Sequence, residues 1–407
     1  MVIWNRVLRD LIISICFLLC LTACEDENNN NADNNSCNPG GVAGELLEAN
    51  YHSTFTPEMI SPYLGIVGAP LELVLEYSVD AYQVTYLTTD KNDELVTVSG
   101  IMFIPSGIDT LDLLSVQHGT VIKRDYVGSM TPAYSLDGLI VAMNGYFVVV
   151  PDYLGLGESQ IIHPYLHAKL SANPVVDMIR AARVFACENE LILSELLFLV
   201  GYSEGGFVTL ASQKIIETEY ADEMQLTAVA PMAGPHDLSW TTHNILSRET
   251  YSIPAFLAYL VVAYNDIYQW DRISDIFQEP FASLIPELYD GTHDGSEINS
   301  QLTTELDQLF TPEFRDAYLA GEEILIDSLL MENSPLNWGP IAPVRLIHGD
   351  ADSTVLLENS LRAYNSLREN GGVSVDFITL PGFDHGSAAF LAYYLAIEWF
   401  DSFRTSQ

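Results

Sequence analysis

Gly201-Tyr202-Ser203-Glu204-Gly205 has the G-x-S-x-G spacing. In that pattern small residues let a strand turn sharply into a helix and hold a serine hydroxyl out at the bend. The letters alone are only moderately specific, so their surroundings decide. The apolar run Leu196–Val200 leads into the motif and a helical pattern over Gly205–Thr218 leads out of it, which is the strand-turn-helix context the chemistry needs. A hydroxyl is a poor nucleophile at neutral pH, so Ser203 requires an imidazole base, and the base requires an acid that fixes its tautomer. The acid is expected before the base in the chain. The apolar run Val344–Ile347 ends in His348-Gly349-Asp350-Ala351-Asp352. Asp352 is the candidate acid, Asp350 is its rival, and capping the next helix is the alternative role for Asp352. The next strand ends in Pro381-Gly382-Phe383-Asp384-His385, and His385 is the sole histidine beyond the acid loop, hence the candidate base. The backbone N–H of Glu204, at the start of a helix and its dipole, is a candidate donor to a developing oxyanion.

These groups must be held by a framework, and the hydrophobic pattern describes one. Residues 71–78, 81–88 and 95–104 alternate and are rich in β-branched residues, so they predict early antiparallel strands. Leu111–Gln117, Tyr146–Val150, Leu196–Val200, Leu226–Ala230, Val344–Ile347 and Val373–Thr379 are short, nearly continuous apolar runs. A sheet buried on both faces requires such runs. Helical patterns lie between them: one starting at Asn173-Pro174, then Gly205–Thr218, Leu356–Glu369 and Ser387–Phe403. The fold class expected is α/β, a doubly wound, mostly parallel sheet of about eight strands with an antiparallel edge. About 235–343 interrupts the alternation and is too long for a structureless loop, so it reads as a helical cap inserted into the domain. Its apolar stretch Ile253–Tyr264 is too short to span a bilayer. That stretch is expected to be cap core, with a lid that meets substrate as the alternative.

The chain of 407 residues carries 16 Lys+Arg against 55 Asp+Glu, a formal net charge of −39. Nucleic acid is excluded as a partner by the want of a basic face to neutralise phosphates. At the N-terminus, Arg6 and Arg9 precede the apolar run Leu11–Cys20 and then Leu21-Thr22-Ala23-Cys24. Residues 1–23 therefore read as a signal peptide. Leu21–Cys24 looks like a bacterial lipobox, with Cys24 as the lipid attachment site and the cell envelope as the destination. Residues 24–48, rich in Asn, Asp and Glu, are expected to be a flexible polar tether, with the catalytic domain over 49–407. Cys37 and Cys187 would remain in the exported chain, either as one disulfide or as two thiols. There is no H-E-x-x-H and no C-x-x-C, and His118, His163 and His167 are scattered, so no metal and no cofactor are expected.

From about residue 95 to 400 the chain resembles the α/β-hydrolase superfamily, and within it the secretory lipase or lipase A-type branch. The segments that carry the likeness are Val149-Val-Pro-Asp-Tyr-Leu-Gly-Leu-Gly-Glu-Ser159, His163-Pro-Tyr-Leu-His167, Val176–Arg183, Gly201–Gly206 and Gly234-Pro-His-Asp-Leu238. The resemblance implies ester hydrolysis with Ser203 as nucleophile, His385 as base and Asp352 as orienting acid. Some relatives place a side chain near the oxyanion. Here Gln117-His118-Gly119-Thr120-Val121 follows the strand, which suggests a backbone donor at Thr120 beside Gly119.

Three functions fit this reading. An esterase or lipase acting on small-molecule or lipid esters comes first. A peptidase of the same fold comes second, and a surface lipoprotein that only binds ligand comes third. Reaction of Ser203 with a fluorophosphonate separates the enzymes from the binder. Nitrophenyl esters against aminoacyl-nitroanilides separate the two enzymes.

Overall fold

The computed structural model describes residues 37–65 and 75–404. The expected signal peptide, Cys24 and most of the tether lie outside the described residues. Nine strands form one sheet in the order β1-β2-β3-β5-β4-β6-β7-β8-β9. They are β1 (Leu46–Phe55), β2 (Val79–Thr89), β3 (Leu95–Pro105), β4 (Thr110–Gln117), β5 (Tyr146–Pro151), β6 (Ile192–Tyr202), β7 (Ala228–Met232), β8 (Val344–Gly349) and β9 (Val375–Leu380). β1, β2, β3 and β5 pair antiparallel, and from β5 through β4, β6, β7 and β8 to β9 all pairs are parallel. The ninth strand is β1, which begins at Leu46 inside the segment 24–48 expected to be a tether. Its polar outward face hid it in the sequence. The strand expected over 71–78 is corrected: Leu75–Ser78 is irregular and the strand starts at Val79, while 71–74 lie outside the described residues.

Both faces of the parallel strands are covered, which is why their sequences are continuously apolar. Successive residues still point to opposite sides. Phe147, Val149, Leu197 and Leu199 pack with the helices α3 (Ala168–Glu188) and α4 (Glu204–Glu219) on one face. Val148, Val150, Phe198 and Val200 pack on the other with α2 (Leu136–Ala142) and the last helix, His385–Arg404. α3 begins at Ala168, one turn before the expected Asn173-Pro174 start, and Pro174 lies inside it. The extra turn is capped by His167, whose ring accepts the Leu170 N–H at 3.3 Å. Burial pushes that ring down to about 4, so it is a neutral acceptor.

Between β7 and β8 lie eight helices: α5 (Leu238–Leu246), α6 (Pro254–Tyr268), α7 (Ile273–Ile276), α8 (Phe281–Leu288), α9 (Gly295–Gln301), α10 (Leu306–Leu309), α11 (Pro312–Leu319) and α12 (Ile324–Asn333). After β8 come α13 (Glu358–Glu369) and α14 (His385–Arg404), and the short α1 (Pro57–Leu64) follows β1. Cys37 and Cys187 form a disulfide that ties the start of the described chain to the end of α3. No helix among the described residues is long and apolar enough to cross a membrane.

Candidate active site

In an open parallel sheet, ligands bind outside the carboxyl ends of the strands. Register brings the relevant ends level, with Gln117 of β4 opposite Gly201 of β6 and Gly349 of β8 opposite Leu380 of β9. The four loops that leave these ends carry residues 118–121, Ser203, Asp352 and His385. Ser203 has φ 64° and ψ −124°, a conformation that costs a non-glycine residue of order 1–3 kcal/mol and persists only when the surroundings impose it. They do impose it. A Cβ on Gly205 would lie 1.9 Å from the Gln117 carbonyl oxygen, one on Gly201 2.4 Å from the Gly205 carbonyl oxygen, and one on Gly206 2.2 Å from that of Met232. Strand and helix approach so closely that only glycine fits, and the Ser203 N–H is fastened to Met232 O at 3.0 Å.

His385 Nε2 lies 2.9 Å from Ser203 Oγ and its Nδ1 2.6 Å from Asp352 Oδ2. Both nitrogens are thus engaged, and with Nδ1–H donating to the carboxylate, Nε2 is left to accept from the hydroxyl. His385 is the first residue of α14, which begins two residues before the expected Ser387. Asp384 caps that helix by accepting the Ser387 N–H at 2.8 Å, and the Tyr202 hydroxyl holds His385 O at 2.8 Å.

Asp352 is buried and every lone pair it offers is used. Oδ1 accepts the N–H groups of Thr354 and Val355 at 2.9 Å each. Oδ2 accepts from His385 and from His348 Nε2 at 3.1 Å. Burial alone would raise this carboxyl, but hydrogen bonds from His348 and His385 and the electrostatic attraction of the two rings outweigh it and hold it at about 2. Asp350 points elsewhere, accepting the Gly382 N–H at 2.6 Å on the surface. Asp352 therefore meets His385, and its other oxygen closes the turn at Thr354 and Val355 rather than capping the next helix, which starts at Glu358 without a side-chain cap. His348 was not singled out in the sequence. It is fully buried, and its Nε2 must carry the hydrogen because Asp352 Oδ2 and Val355 O, at 2.9 Å, only accept.

The Glu204 N–H opens α4 and the Thr120 N–H lies in the loop after β4. Neither has a hydrogen-bond acceptor among the described residues. Gly119 packs this loop against the nucleophile, since a Cβ there would sit 3.8 Å from Ser203 Cβ. Thr120, Ser203 and Glu204 line a narrow cavity of about 50 Å³ that is also lined by Ile245, Phe256, Leu257 and Leu260 of the cap. Thr242, Leu257 and Leu260 also line a second, almost wholly apolar cavity of about 30 Å³ within the cap, reaching Trp270, Phe310 and Leu330. The stretch Ile253–Tyr264, expected to be cap core, therefore does both jobs: Ala255, Ala258 and Tyr264 are buried in the core while Phe256, Leu257 and Leu260 face Ser203. Two of the other histidines, His163 and His118, make local hydrogen bonds. His163 bonds Leu154 O and Glu204, and His118 lies against Gly119 O and Asp152 O.

The family model for secretory lipases matches residues 134–406. Among solved structures, a Legionella pneumophila protein shares 28% identity over 88% of this chain and 98% of its own, with a TM-score of 0.82. The rice cell wall degrading esterase LipA from Xanthomonas oryzae shares 28% over 87% of this chain and 95% of its own, with a TM-score of 0.77. Candida antarctica lipase A, at 16% identity over 84% and 78% of the two chains and a TM-score of 0.61, shares the fold. No curated protein matches the sequence. The shared architecture and the matched span, which takes in the elbow, the cap and both loops that meet it, make this chain an α/β-hydrolase that belongs to the secretory lipase family.

Proposed function

We propose that the protein hydrolyses carboxylic esters through Ser203, His385 and Asp352, with an acyl-enzyme intermediate. The observation that carries this reading is the unbroken hydrogen-bonded chain from Ser203 Oγ through the His385 ring to Asp352, opening into an apolar cavity. His385 Nε2 takes the Ser203 proton as Oγ attacks the ester carbonyl. The N–H groups of Glu204 and Thr120 receive the negative oxygen, and the imidazolium is held by Asp352. The tetrahedral intermediate collapses, the alcohol leaves with the proton from His385, and water repeats the cycle on the acyl-enzyme. The side chains around Leu257 and Leu260 suit an apolar acyl group.

The test is direct. A fluorophosphonate should modify Ser203 in the wild type and nothing in Ser203→Ala. p-Nitrophenyl esters of rising chain length should turn over where aminoacyl-nitroanilides do not. A folded protein that cleaves none of these esters sinks the proposal, whether or not the fluorophosphonate labels Ser203. Export as a lipoprotein through Cys24 rests on Leu21-Thr22-Ala23-Cys24. Labelled palmitate should enter the wild type and not Cys24→Ala.

A further inference from the structure

Glu204 lends the site its backbone N–H, yet its side chain is completely buried, as is the His163 ring beside it. A buried carboxyl is expensive unless it is well paired, and α4 does not need this one for a cap. His163 Nδ1 lies 2.7 Å from Leu154 O, a pure acceptor, so Nδ1 donates there. Nε2 is then aimed at Glu204 Oε1 at 2.8 Å. Oε2 has no partner among the described residues, so the group is kept for the one contact it makes. That contact bolts the residue after the nucleophile to the segment 153–165.

The same segment also holds the opposite side of the site. The Tyr153 hydroxyl donates to His118 O at 3.1 Å and the Tyr165 hydroxyl meets Thr120 Oγ1 at 3.1 Å. The segment is itself folded tightly, since a Cβ on Gly155 would lie 2.3 Å from the His163 nitrogen. One rigid piece of chain thus fixes both the Glu204 and the Thr120 N–H.

We infer that Glu204, acting through His163, is a positioning residue: segment 153–165 sets the spacing of the two donors that receive the negative oxygen. The inference rests on the ester-hydrolase reading above. Removing an oxyanion donor outright costs about 10²–10³ in turnover, so displacing one should cost about 10–100-fold. His163→Ala and Glu204→Ala should lower kcat by that factor with KM within about twofold. They should weaken inhibition by a trifluoromethyl ketone, whose adduct carries the oxyanion, by the same factor as kcat. With Nδ1–H given to Leu154 O, Glu204→Gln can offer an amide N–H to Nε2 and should recover most of what Glu204→Ala loses.

The measurement is kcat and KM on p-nitrophenyl butyrate and Ki for the ketone, with thermal unfolding to confirm the fold. A folded His163→Ala with unchanged kcat and Ki overturns the inference, as does Glu204→Gln no better than Glu204→Ala. If the alanine variants do not fold, Tyr165→Phe decides, since it removes only the hydroxyl on Thr120: lower kcat at unchanged KM supports the inference and unchanged kcat overturns it. A wild type that is phosphonylated at Ser203 but cleaves no ester refutes the ester reading alone. The rate of phosphonylation, which needs the same donors, then replaces kcat in these comparisons. A wild type that is not phosphonylated overturns both.

Discussion

Replacing Asp352 by Asn separates the two duties of that carboxylate. Oδ2 receives the His385 ring at 2.6 Å and the His348 ring at 3.1 Å. The amide of Asn has one oxygen and one NH₂. If the oxygen keeps the N–H groups of Thr354 and Val355, the NH₂ faces two ring nitrogens that donate in the wild type. His385 must then place its hydrogen on Nε2, where it can no longer accept from Ser203. Loss of that tautomer should lower kcat by about 10⁴, roughly 5.5 kcal/mol of transition-state stabilisation, with little change in KM. The fold should weaken as well. The carboxyl is held at about 2 against an ordinary 3.8, and at 1.36 kcal/mol per unit this contributes about 2 kcal/mol at neutral pH. Because its value is depressed, that contribution is present above about pH 4 and disappears as pH falls toward 2. The assays are p-nitrophenyl butyrate hydrolysis and urea unfolding between pH 3 and 7, with Asp350→Asn as the control. Retention of more than a tenth of wild-type kcat in a folded Asp352→Asn, or an equal loss in Asp350→Asn, would refute the assignment.

Other perturbations follow from the same geometry. Gly205→Ala puts a methyl group 1.9 Å from the Gln117 carbonyl oxygen. It should destabilise by about 3 kcal/mol or more and abolish fluorophosphonate labelling, read by thermal unfolding and mass spectrometry. Burial, and secondarily His348, pushes His236 down to about 3, whereas the unfolded chain charges it below about 6.5. The fold should therefore lose about 3 kcal/mol by pH 4 from this group alone, and unfolding free energies should show a flatter pH profile in His236→Asn. Reduction of Cys37–Cys187, which closes a separation of 150 residues, removes a constraint worth up to about 5 kcal/mol, and the melting temperature should fall on adding reductant. Leu257→Trp, at the junction of the two cavities, should cut turnover of long-chain esters far more than of acetate. An equal loss for all chain lengths would show that acyl groups do not enter the cap.

Local features that need only neighbouring residues could be read from the chain. The elbow around Ser203 follows from glycines beside a strand, and the parallel strands follow from apolar runs whose two faces both need cover. The order of acid before base follows from the order of the strands that carry them. Four things were decided only by folding. Asp350 and Asp352 are two residues apart and chemically alike, and the turn after β8 alone determines which carboxyl meets His385. His348 stood in plain view beside them, but its bond to Asp352 depends on a rotamer set by Ser360 and Val355. β1 presents a polar face and does not show as a strand in the sequence, its first three residues falling in the expected tether, because it is held by pairing with β2 rather than marked by its own composition. The roof over Ser203 is assembled from α5 and α6, whose apolar residues are indistinguishable in sequence from ordinary core. A periodic pattern records that a residue is covered, and only the tertiary structure records by what.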